Sequence, residues 1–460
     1  MRELGRYLTL ICVLCAWSMC AVAADVSSGQ SKCSGQITYL SDTDDAYKYL
    51  EAQQRQVYTQ NPGLTDPFSR AELNSPRTVA SFADLKARAL QACPDSSLRE
   101  TCAVNPDSVD QMMREVNCLT LPTRFESPLF IYLIDDFTNS LNEIRVSHFP
   151  KSSVTRFGSL PTGTFDAQAI LPPGSKVPLV ILNRDIFFFT GAISTAIVDS
   201  VPITLRGAVH LDYTEAGIRS RLHDHPYIVQ NFADAMSRLV RAGSSVGANE
   251  GALDEDHNHL LLRLLPAMDV FLISHEEAHV ILGHVSEQSV EFRLAGSNSK
   301  GTLAHALKPA AAKADILTRT PNARVDGPAT PLRAELRTRR QELEADALGF
   351  KLMIWNEEGQ NDPFGVMVAA AAPQMVFRVL DAANAYGSES GGWTFSDVNH
   401  PSAEDRIKAL SPVFDEAAKT SEPLREVDFR TVFDAAFKVL LAEADPQIRQ
   451  KLGLPPKKPN

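Results

Sequence analysis

The chain has 460 residues, a formal net charge of −11, and 44% hydrophobic against 22% charged residues. That length suits two or three domains, or one large domain with additions, and the composition is that of a globular protein. An acidic balance with no basic block argues against nucleic acid as the partner.

Residues 1–23 read as a secretory signal. Arg2 and Arg6 form the charged start, Leu8 to Met19 the apolar core, and Ala21-Val22-Ala23 a small-x-small cleavage site before Ala24. The core is short for an uncleaved anchor. The expected location is therefore exported, periplasmic or secreted. Of the seven cysteines, Cys12, Cys15 and Cys20 leave with the signal, and Cys33, Cys93, Cys102 and Cys118 remain. An even number in an oxidising compartment predicts two disulfides, with three connectivities open. A four-cysteine metal site is disfavoured, because no C-x-x-C pair occurs.

Residues 24–122 form an N-terminal region with helical patterns at Asp42–Gln56 and Ser81–Ala92. Short apolar runs at Pro128–Ile134 and Val177–Leu182 predict strands, and Val201–Leu211 a third. Together they predict a small sheet ahead of the helix that carries Ser274 to His284. Ile186 to Val198 is too short to span a bilayer, and no membrane span is expected after signal cleavage. Residues 226–243 read as helix, Gly243 to Asn249 as a polar linker, and Leu260–Leu265 as helix kinked or restarted at Pro266.

The next segment, Ser274 to His284, contains H-E-x-x-H as His275-Glu276-Glu277-Ala278-His279. At 3.6 residues per turn, His275 and His279 lie about 40° apart on one helix face. Two imidazoles so placed can hold one zinc ion and leave positions open. Glu276, beside the first of them, can take a proton from a water that the zinc acidifies. Flanking apolar residues (Val270 to Ile273, Val280 to Leu282) bury this helix, and buried polar groups need partners. With the helix running to about Val285, His284 falls about 140° round from His279 and is expected to be structural. The third ligand must come from elsewhere.

Residues 296–331, with His305, read as a long connection or lid, and helix resumes near Pro331 through Trp355. On it Glu342, Asp346 and Gly349 share one face. Glu342 is the expected third ligand and Asp346 an acceptor for a ligand histidine N–H. Glu344 points away, toward solvent. Asn399-His400-Pro401 leads to a short helix carrying Arg406 and Ile407, with Pro401 in its first turn. Val427–Leu452 has helical periodicity.

Together the three motif segments, over roughly residues 255–410, resemble the HtpX-like and CAAX-prenyl-protease type 1 family of zinc metallopeptidases, of the gluzincin type. The matching residues are His275 to His279, Glu342-Leu343-Glu344-Ala345-Asp346, and His400-Pro401 through Arg406-Ile407. The resemblance implies an α+β, mainly helical fold. The expected core is zincin-like, at 123–415, with a small sheet and an active-site helix; the cysteine-bearing region at 24–122 and a C-terminal helix and tail at 416–460 flank it. It implies zinc on His275, His279 and Glu342, Glu276 as general base and acid, and roles near the site for His400 and Arg406, toward a developing oxyanion or Asp346. Protein or peptide substrates follow, with an edge strand available to align them. Integral-membrane members carry several spanning helices. This chain is similar instead to soluble exported members, associated with envelope protein quality control. The rival expectation is a zinc-binding chaperone-like or latent protein without turnover.

Overall fold

The structure, a computed structural model, describes residues 39–60, 119–160, 167–204, 210–242, 253–285, 331–359, 362–391, 401–420 and 428–457, with isolated positions between 83 and 116. The signal segment, the four remaining cysteines, the 243–249 linker, His305 and His400 lie outside the described residues.

Helix predominates. A 3-10 turn at Leu40–Asp42 leads into α1 (Asp45–Gln60). The run at Pro128 expected as a strand is helix, α2 (Pro128–His148). Ser127 caps it, its hydroxyl accepting from the Phe130 N–H at 3.3 Å, and Pro128 takes the first turn. The buried residues Leu129, Phe130, Leu133, Ile134, Phe137 and Leu141 recur at helical spacing. A strand would have turned alternate members outward.

The sheet comes from β1 (Arg156–Leu160), β2 (Ala167–Ile170) and β3 (Leu179–Asn183), in the order β1-β3-β2. β1 runs parallel to β3, with Arg156 opposite Leu179, and β2 antiparallel, with Ala167 opposite Leu182. β3 is buried on both faces, and its side chains alternate between two cores. Leu179 and Ile181 join Leu50, Tyr47 and Ala46 of α1, whereas Val180 and Leu182 face the main helical core. Under α1, Gln54 donates to Glu126 Oε1 at 2.8 Å and to the Ser159 carbonyl at 2.7 Å, and Arg184 Nε donates to Ser159 Oγ at 2.7 Å. Every member of this closed network is buried, which satisfies groups that would otherwise be costly there. The expected strand at Val201–Leu211 is instead two two-residue strands, β4 (Ile203–Thr204) and β5 (His210–Leu211), paired antiparallel.

The remaining helices are α3 (Ile186–Ser200), α4 (Glu215–Asp224), α5 (Pro226–Ala242), α6 (Glu255–Ile281), α7 (Pro331–Gly359), α8 (Pro363–Ala369), α9 (Ala372–Ser390), α10 (Ala403–Thr420) and α11 (Phe429–Leu452). α6 is the axis of the packing: α2, α3, α7, α8, α9, β2, β3 and β4 all pack against it. Pro266 lies inside this single helix rather than beginning a second one. The segment Pro363–Ser390 is long and apolar enough to cross a bilayer, with mean hydropathy 1.4, but 72% of that window is buried within the protein. α10 starts at Ala403, after Pro401, and Ser402 Oγ accepts from the Asp405 N–H at 3.2 Å. Proline therefore precedes the cap instead of occupying the first turn.

Candidate metal centre

α6 and α7 meet along the face that carries the motif residues. Gly349 makes the approach possible: a Cβ on it would stand 3.0 Å from both N and Cα of His275. A side chain there would press the two backbones apart by a few tenths of an ångström, so glycine permits this close approach.

Three ligand-type side chains converge there. His275 Nε2 lies 3.2 Å from His279 Nε2 and 3.4 Å from Glu342 Oε2, and His279 Nε2 lies 3.5 Å from Glu342 Oε1. Tetrahedral zinc with bonds of about 2.0–2.1 Å sets its ligand atoms about 3.3–3.4 Å apart. The two imidazole nitrogens and the nearest carboxylate oxygens, Oε2 toward His275 and Oε1 toward His279, stand at about that separation, and the residues fit the ion. All three side chains are largely buried. Without a cation the cluster is electrostatically tight. Burial disfavours a charged His275, but the carboxylates of Asp346 and Glu342 outweigh it and push the imidazole up to about 10. Burial, and then the His275 charge, push His279 down to about 3.

Each imidazole is held from behind. His275 Nδ1 faces Asp346 Oδ1 at 3.0 Å. Asp346 in turn receives Arg406 Nε at 2.8 Å and a terminal guanidinium nitrogen at 2.5 Å. Burial would raise the Asp346 carboxyl, yet Arg406 and His275 hold it below its usual range. Arg406 stacks over Phe377, its Cζ 4.0 Å from the ring centre. Of the two roles implied for Arg406, its hydrogen bonds go to Asp346. Arg339 of α7 also pairs with Asp405 of α10 at 2.6 Å, clamping the same two helices. Glu276 sits half-buried at the second motif position.

His279 is backed by His284, with 3.1 Å between their Nδ1 atoms. The helical-wheel placement of His284 assumed a helix reaching Val285. α6 instead ends at Ile281, and Gly283 adopts φ +70°. That left-handed turn, sealed by His284 N–H on the His279 carbonyl at 2.9 Å, swings His284 back onto the ligand. Glu344, expected in solvent, accepts from Arg340 at 2.7 Å and faces His284 Nε2 at 3.4 Å.

Glu277, third in the motif and without an expected role, is only 1% exposed. Arg145 of α2 reaches it, Nε to Oε1 3.4 Å. Burial pushes the Glu277 carboxyl up to about 7, against the pull of nearby Thr155 and Arg145. Helical periodicity beyond Ile134 was the signal for this partner, which the strand assignment hid.

No curated protein and no solved structure matches the chain. Residues 258–413, from early α6 through most of α10, match the model of peptidase family M48. That segment contains the three ligand-type residues, Asp346 and Arg406, and over it the chain is similar to the M48 peptidases.

Proposed function

We propose that the chain is an exported zinc-dependent endopeptidase acting on protein or peptide substrates, in the manner of the soluble family members of envelope quality control. The observation that carries zinc is the convergence of His275 Nε2, His279 Nε2 and the Glu342 carboxylate at metal-ligand spacing. Bound there, zinc would polarise the scissile carbonyl and acidify the attacking water.

The protein's own groups do the rest. Glu276 takes the proton as the water oxygen bonds to the carbonyl carbon, then delivers it to the departing amine nitrogen as the C–N bond breaks. His275 and His279 keep their Nε2 lone pairs turned to the ion, because Asp346 and His284 occupy their Nδ1 sides. β2 packs beside α6 and is an edge of its sheet. An extended substrate laid along it would be gripped by main-chain hydrogen bonds, with alternate side chains pointing toward and away from the site.

Purified Glu276→Gln protein tests this assignment. It should hold zinc as wild type does and lose nearly all hydrolysis of casein. Cleavage at the wild-type rate would remove Glu276 from the chemistry. Stoichiometric zinc in a wild-type protein that turns over no unfolded protein would favour the chaperone-like alternative. Export is tested separately, by fractionation and by an N-terminus at Ala24.

A further inference from the structure

We infer that His284, which lies outside the three-ligand set, is a positioning residue that sets the tautomer of His279 through a directional relay ending on Glu344. The inference rests on the zinc site proposed above. His279 turns Nε2 to the cluster and Nδ1 to His284 Nδ1, 3.1 Å away. Between two neutral imidazoles one nitrogen donates and the other accepts, so two arrangements exist. In one, His284 Nδ1–H donates, His279 carries its proton on Nε2, and that atom cannot ligate a metal. In the other, His279 Nδ1–H donates and Nε2 presents a lone pair.

Glu344 selects between them. Its carboxylate is an acceptor only, stands 3.4 Å from His284 Nε2, and is held by Arg340 at 2.7 Å. A carboxylate there keeps the His284 proton on Nε2. The Nδ1 lone pair is then left to accept from His279, and His279 Nε2 is left bare for the ion. The backbone builds the relay in: the left-handed Gly283 and the His284 N–H bond to the His279 carbonyl fix where the second ring lands. The two ligand histidines therefore have unlike supports. His275 leans on a buried carboxylate–guanidinium pair, His279 on an imidazole and a carboxylate 39% exposed.

The test compares wild type, His284→Ala and His284→Asn by zinc affinity in chelator competition, by the visible spectrum of the cobalt-substituted protein, and by melting of the metal-free forms. Outer partners of ligand histidines are worth about 10–100-fold in metal affinity. H284A should lose zinc affinity by that factor and alter the cobalt spectrum, while its metal-free melting stays near wild type. H284N, whose amide oxygen can accept where Nδ1 did, should recover most of the affinity and the spectrum. Wild-type affinity and spectrum in H284A would overturn the inference. An H284N protein as weak as H284A would do the same, since a hydrogen-bond acceptor would then not be what matters. Failure of the zinc site itself is distinguishable: wild type would then bind neither metal, and His275→Ala would change nothing.

Discussion

Gly349→Ala probes the close approach of α6 and α7 directly. The added methyl would sit 3.0 Å from N and Cα of His275 and 3.2 Å from the Ser274 carbonyl carbon. Carbon contacts settle at about 3.5–4.0 Å, so the helices must part by roughly 0.5 Å. The opposing atoms are backbone of a helix packed on several sides, and no side chain can swing away. Overpacking of this kind costs about 1–3 kcal/mol. Alanine would recover about 1 kcal/mol of helix propensity, leaving the metal-free protein destabilised by roughly 0–2 kcal/mol. The larger effect falls on the metal. Ligand distances tolerate only about ±0.2 Å, and Glu342 rides on the helix that moves. If the strain is relieved at the site, about 1–3 kcal/mol corresponds to roughly 5–150-fold weaker zinc binding. Chelator competition measures the affinity, and urea denaturation of the metal-free protein measures the stability. Gly359→Ala on the same helix is the control, because nothing lies within 4 Å of its added Cβ. A G349A protein that is more stable than wild type and binds zinc equally well would refute the reasoning.

Glu357 offers a pH test away from the metal. Its side chain is 2% exposed, and burial pushes its carboxyl from 4.5 up to about 8. The folded state thus binds a proton that the unfolded state has released, so stability is undiminished below about pH 4.5 and falls as pH rises toward 8. Glu357→Gln should remove that fall: denaturation at pH 5 should differ little from wild type, and at pH 8 the variant should be more stable by an amount on the order of a few kcal/mol. Equal stability at both pH values would count against a neutral, buried Glu357. Arg406→Gln should strand the buried Asp346 carboxylate, destabilise the fold by about 3–5 kcal/mol and weaken zinc binding. Asp346→Asn/Arg406→Gln together should be less damaging to stability than R406Q alone, and a double variant that is worse would show that the pair does not act as a unit.

The candidate metal centre was legible because its logic is local. His275 and His279, and likewise Glu342 and Asp346, are each four residues apart on one helix. Carboxylates and imidazoles on faces otherwise this apolar demand partners. What escaped was set by chain reversal or by contact at long range. His284 was misplaced because a helical wheel carries no end, and the left-handed Gly283 was read as one more helical step. The Pro128 run is apolar and short enough to pass for a strand. Its capping serine and first-turn proline, which decide the matter, were available in the sequence. β1 and β2 have little strand character of their own: Arg-Phe-Gly-Ser-Leu and Ala-Gln-Ala-Ile are extended because β3 supplies the pairing. The same contrast explains why the motifs mark the ligand-type residues together with Asp346 and Arg406, and leave Arg145 unmarked. A ligand must be a particular residue at a particular helical step. A support such as Arg145 for Glu277 has only to arrive from somewhere in space, and here it arrives from a helix well over a hundred residues earlier in the chain.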